Sequence, residues 1–252
     1  MNGFFVQDLK RGFLNPGFFL GTAAISALLL TALAAGAPLD RSRSSYYILY
    51  NVFGTSGFGP FAAVFPVLAY ATNFCEEYQS GYYRMISARM GPLRFGRIRI
   101  VAVALSGGVM VALPVLLACT LAFVFGQPGV PQGSDEGLLQ GTVMLSYLMK
   151  YGDWYIAAGK TVLGFLFGCV WALAGLAFAV WIPNRYVALI APFVLYESMW
   201  LLLDKVPPLN PIRLLRGDDL NSYPLSAGME CIYLAAVSAI ILAGLVRRYR
   251  DG

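Results

Sequence analysis

Five ionisable side chains in or beside apolar runs are where chemistry would sit: the adjacent Glu76 and Glu77, and Lys160, Glu197 and Glu230. Paired carboxylates at the end of a membrane helix suit hydrolysis assisted by a metal or a general base, but that chemistry needs histidine to hold the metal or activate water. The 252 residues contain none. A membrane serine protease would likewise lack its base, and serine/lysine catalysis would need Lys150 or Lys160 beside a serine at depth, for which no spacing argues. Cys75, Cys119, Cys169 and Cys231 are far apart, form no CxxC and read as small hydrophobes, so no metal site is expected. No GxxxxGK[ST] phosphate loop occurs, so the chain is not expected to hydrolyse ATP or to be an enzyme by itself. Uphill transport would draw its energy from another polypeptide or from an ion gradient.

A gradient needs titratable groups within the membrane. Counting 1.5 Å per residue from the inner helix ends places Lys160 about 33 Å up its helix, Glu230 about 24 Å and Glu197 about 16 Å. Lys160 is then expected to snorkel to the outer interface with Glu230 as a partner, whereas Glu197 stands near mid-depth. Glu197 reads either as a polar contact in a translocation path or subunit interface, or as a hydrogen-bonded group in a helix-packing seam.

Composition dictates what must position these residues. The chain is 58% hydrophobic and 12% charged, against roughly 45–50% and about 25% in soluble domains, which makes it an integral membrane protein. The expected fold is all-α and polytopic, a single transmembrane domain over 1–252 with six spans: Gly17 to Ala37, Phe58 to Phe74, Ile100 to Phe125, Ile156 to Ile182, Val187 to Leu203 and Ala227 to Val246. The second is short, and Pro60 and Pro66 predict a kink. Ala35-Gly36-Ala37 fits a signal-peptide cleavage pattern, but the run is long, Pro38 follows, and five more spans come after it.

With the N-terminus inside, eleven Lys and Arg fall on the cytoplasmic side and seven on the other, so both termini are expected to be cytoplasmic. The net charge of +5 then reports topology and contact with membrane lipids rather than nucleic acid. Residues 1–15 carry Phe5, Leu9 and Phe13 every four residues, an amphipathic lead-in expected to lie in the inner interface. The external loops are expected at 127–155, with Leu138 to Met149 as an interfacial or re-entrant helix, and at 204–226, a proline-rich structured turn.

The cytoplasmic loop 76–99 is the most informative stretch. Gly81 breaks the second span, Tyr82, Met85, Ile86 and Met90 fall on one apolar face of a short helix, and Gly91-Pro92 ends it before Arg94, Arg97 and Arg99. Such a helix suits either insertion into a groove on a peripheral protein or simple contact with lipid headgroups.

The run Glu77-Tyr78-Gln79-Ser80-Gly81, then a short helix, then Pro92-Leu93-Arg94 and a basic lead into the next span, resembles the permease subunits of type-2 ATP-binding-cassette exporters. The opening Asp8-Leu9-Lys10-Arg11 before Pro16-Gly17-Phe18-Phe19 is also similar to that family. Bulky Tyr82 and the pair Met90-Gly91 depart from its pattern. The resemblance implies a subunit of a bacterial plasma membrane that forms a homodimer or a heterodimer with a related permease. It also implies separate ATPase subunits at the cytoplasmic face, which bind ATP and Mg while this chain binds neither. By the same resemblance Glu77, Gly81, Tyr82, Arg84, Met85, Ile86, Arg89 and Met90 form the coupling site, and the cargo leaves the cell. Apolar spans hint at a hydrophobic, peptide or drug-like substrate. The rival readings are a secondary transporter or channel using Glu197 as its ion-coupling group, and a scaffold or sensor subunit that recruits a partner through the same loop.

Overall fold

Long apolar runs that must satisfy their own backbone hydrogen bonds in lipid become helices, and the computed structural model is helical wherever it is regular. It describes residues 2–35, 44–127, 143–217 and 221–250. Arg41, Arg43, and the parts of the two expected external loops at 128–142 and 218–220 lie outside the described residues. In chain order the elements are α1 (Asn2–Phe13), α2 (Pro16–Ala35), α3 (Ser45–Thr55), α4 (Phe58–Phe61), α5 (Val64–Tyr70), α6 (Asn73–Gln79), α7 (Tyr82–Met90), α8 (Pro92–Phe125), α9 (Val143–Tyr151), α10 (Asp153–Trp181), α11 (Arg185–Leu202), a 3₁₀ turn (Pro207–Leu209), α12 (Pro211–Arg216) and α13 (Tyr223–Arg250). Among the described residues no strand forms, and the lone β-bridge joins Ser44 to Gln127.

Among the described residues five helices, α2, α8, α10, α11 and α13, are long and apolar enough to cross a membrane. The chain is therefore an all-α, multi-pass membrane protein. The expected second span is not one of these helices, because Phe58 to Phe74 is divided among α4, α5 and the start of α6. Pro60 and Pro66 explain the division. Each lacks the N–H that would continue a helix, and each falls in the first turn of its own short piece, where that loss costs nothing. The broken series is nonetheless fastened at both ends of α8. Ser45 donates its backbone N–H to Gln127 O at 2.9 Å, just past the end of α8, and Glu77 accepts from Arg99 near its start. The helical rise between Arg99 and Phe125 is about 39 Å.

α10 is the most deeply buried of the five long helices and packs most closely on α8. Small residues allow it: a Cβ placed on Gly168 would lie 2.4 Å from Gly107 O, and one on Gly107 would lie 2.3 Å from Ala172 Cβ. With no hydrophobic drive between helices in lipid, such backbone approach is what holds a seam together. Cys169 adds a thiol donated to Ala104 O at 3.1 Å. α8 is 34 residues long, or about 51 Å, against a hydrocarbon core of about 30 Å. Its first turns thus extend beyond the apolar layer and carry Arg94 and Arg97 as exposed groups.

Candidate functional site

Two glycines isolate α7 from its neighbours. Gly81 has φ +74° and Gly91 φ +81°, a region that side chains with a Cβ rarely adopt. Gly81 turns the chain out of α6, and Gly91 turns it back into α8, whose first residue is Pro92. The resulting nine-residue helix has a fixed inner face and a free outer one. Tyr83 and Ser87 are buried, Tyr82, Ile86 and Met90 are half-buried, and Arg84, Met85, Ala88 and Arg89 are exposed. The face read from sequence is thus split. Tyr83, not Tyr82, is the centre of the packed side, and Met85, 59% exposed, points away from the bundle.

Tyr83 is held by both halves of its side chain. Its ring packs edge-on to Phe74 and Phe95 at centroid distances of 5.5 and 5.4 Å, and its hydroxyl donates to Leu245 O of α13 at 3.0 Å. Burial raises this phenol above its ordinary value, against the opposing pull of Arg248, so it stays a neutral donor. Arg248 extends the connection. It donates Nε to Val180 O and Nη2 to Trp181 O, the latter at 2.8 Å, and lies 4.5 Å over the Tyr78 ring. A cation on the last carbonyls of α10 also complements that helix's dipole.

Behind α7 lies a buried ion cluster. Arg99 of α8 and Asp8 of α1 are each 1% exposed. Arg99 Nη1 is 3.2 Å from Asp8 Oδ1, and Arg99 Nη2 is 2.5 Å from Glu77 Oε2. Tyr70 of α5 donates its hydroxyl to Asp8 Oδ1 at 2.5 Å, and the guanidinium stands 4.7 Å over the Tyr70 ring. Arg11 completes the group, 3.7 Å from Glu77 Oε1 and 5.7 Å over Tyr82. One cluster therefore joins α1, α5, α6 and α8, and the Arg11 guanidinium over Tyr82 is its contact with α7. By contrast, the Glu76 pair with Arg185 at 3.1 Å is exposed on both sides, and such pairs contribute little.

The lead-in helix α1 is fastened to the bundle by this cluster. Its buried face is Asp8 and Gly12, with Phe4 packed 6.1 Å from Phe95, one residue out of step with the expected Phe5, Leu9 and Phe13 face. Gly12 sits against α8, where a Cβ would be 3.2 Å from Ser106 Cβ.

The three intramembrane candidates are not brought together. Lys160 does not snorkel outward: it is 2% exposed, donates to Arg216 O at the end of α12 at 3.1 Å and lies 4.6 Å over Phe53. α12 folds over it, which is why the outer interface is out of reach. Among the described residues no ion pair joins it to Glu230, which is 1% exposed with Oε2 taking no hydrogen bond. Glu197 is half-buried on α11, also with one oxygen, Oε1, buried and without a hydrogen bond.

No family model, curated protein or solved structure matches this chain. The geometry alone therefore carries the functional argument. Sequence reasoning missed Asp8, Tyr70, Tyr83 and Arg99 as members of the site. The one available signal was the rarity of charge: an Asp in an amphipathic lead-in and an Arg entering a span both need partners once buried.

Proposed function

We propose that this chain is the permease subunit of an ATP-binding-cassette exporter, coupled through α7 to separate ATPase subunits. The observation that carries the reading is the mounting of α7. Its inner face is fastened to α8 and α13 through Tyr83 and meets the ion cluster where Arg11 lies over Tyr82, while Arg84, Met85, Ala88 and Arg89 project outward between two glycine hinges. A helix mounted in this way receives force from a partner and passes it into the bundle. The series α3 to α6, tied at opposite ends of α8, supports a sixth crossing, and the excess of arginine at the α7 end supports cytoplasmic termini. The subunit dimerises in a bacterial plasma membrane and moves a hydrophobic, peptide or drug-like cargo outward, with ATP and Mg held by the partner.

The test is co-purification of the chain from its native membrane with a nucleotide-hydrolysing subunit. Met85→Asp with Arg89→Glu, both at exposed positions, should abolish the complex and leave the fold intact. Binding that survives the pair, or labelling of Met85→Cys from outside the cell, overturns the proposal. The buried, unpartnered oxygen of Glu197 favours ion-coupled transport as a second reading. In vesicles without ATP, gradient-driven uptake that Glu197→Gln abolishes would establish it.

A further inference from the structure

Two cavities open at the α7 end of the bundle, and their charge differs. One is lined by Lys10, Arg11 and Arg185 but also by Glu76, which pairs with Arg185. The other, of about 310 Å³, lies between α7 and the ends of α10 and α13 and carries Arg84, Arg247 and Arg248, with no acidic residue among the described residues of its lining. Aromatic rings frame it: Tyr78 beneath Arg248 at 4.5 Å and Trp181 beneath Arg247 at 5.7 Å.

Helix capping accounts for only part of this charge. Arg247 and Arg248 lie in the last turn of α13, where the dipole favours cations, and Arg248 also caps α10 through Nε and Nη2. Those bonds leave Nη1 out. Arg84 is different, for it lies in the first turn of α7, where the dipole opposes a cation. The guanidiniums of Arg84 and Arg248 meet at this one cavity, and arginine forks match phosphate oxygens. The cavity volume is within the range of small-ligand sites. Trp181 in its lining and Tyr249, next in sequence to Arg248, are both exposed, and exposed Trp and Tyr at the ends of apolar helices are enriched at headgroup depth.

We propose that the cavity bounded by Arg84, Arg247 and Arg248 binds the phosphate of an anionic phospholipid headgroup, bridging α7 to α13. Basic pockets between membrane helices recognise such headgroups. The bound lipid would be part of the coupling joint: Tyr83 fastens α7 to α13 from inside, and the headgroup fastens it from the membrane side. This goes beyond the transport reading and is tested without a partner ATPase or any cargo.

The full chain in neutral detergent is incubated with phosphatidylglycerol or phosphatidylcholine at equal concentration, and retained lipid is counted by native mass spectrometry. Wild type should retain phosphatidylglycerol about tenfold better, Arg84→Gln with Arg247→Gln should reduce the preference to about twofold or less, and Arg84→Gln alone should lie between. Arg94→Gln with Arg97→Gln, which removes the same charge from the exposed start of α8, should keep the wild-type preference. Equal retention of the two lipids by wild type, or an undiminished preference in the cavity variants, overturns the proposal. Glycerol 3-phosphate binding as tightly as the lipid would assign the cavity to a soluble phosphate compound and overturn it equally.

Discussion

Arg99 is the residue whose removal should cost most. At an effective dielectric of about 20, its 3.2 Å approach to Asp8 and 2.5 Å approach to Glu77 correspond to about 5 and about 7 kcal/mol of Coulomb attraction. Desolvation of several kcal/mol per ion offsets most of this. Arg99→Gln leaves that cost in place and removes the compensation, with the Asp8 carboxylate still buried beside Glu77. The expected loss is about 3–5 kcal/mol. Reversible unfolding of the purified protein in mixed micelles measures it. Asp8→Asn alone should cost less, because Arg99 keeps Glu77. Combining Asp8→Asn with Arg99→Gln should recover about 1–3 kcal/mol relative to the sum of the single changes. Loss below about 1 kcal/mol for Arg99→Gln, or strict additivity of the pair, would refute a buried network and leave three independent surface-like charges.

Gly168→Ala should destabilise the protein by about 1–3 kcal/mol, since its new methyl meets backbone rather than a movable side chain and α8 and α10 must part; thermal unfolding in detergent tests this. Gly81→Ala should cost about 1–2 kcal/mol through the positive φ alone, because open space surrounds the position, and Gly81→Asn should cost less. Equal values for Ala and Asn would show that conformation is not the constraint. Tyr83→Phe keeps the ring packing and removes the bond to Leu245, so it should cost about 0.5–1.5 kcal/mol. In the assembled transporter it should lower cargo movement per ATP hydrolysed; unchanged coupling would show that α7 does not act through α13.

Spans were legible where one property suffices: twenty apolar residues make a membrane helix whatever surrounds them, and α2, α8, α10, α11 and α13 all follow from that rule. The glycine boundaries of α7 were equally legible, because Gly81 and Gly91-Pro92 act locally. What escaped depends on partners distant in sequence. By its type alone Asp8 belongs on a polar face, but Arg99, far along the chain, is brought against it, and this partner shifts the buried face of α1 by one residue. Tyr83 lies off the apolar stripe because its hydroxyl is satisfied by Leu245, a backbone group that no side-chain pattern reports. The count along its helix predicts that Lys160 snorkels, but α12 closes over it. The second span was suspected of bending at its prolines, and it divides there.

The bond from Tyr83 to Leu245, followed by the grip of Arg248 on the end of α10, gives the molecule a rigid floor. Under the proposed coupling, a push of a few ångströms on α7 would pass through these bonds and tilt α10 and α13 as a pair of levers, with the glycine seam between α8 and α10 as fulcrum, so that a short stroke at this end would become a wider sweep at the far ends of the same helices.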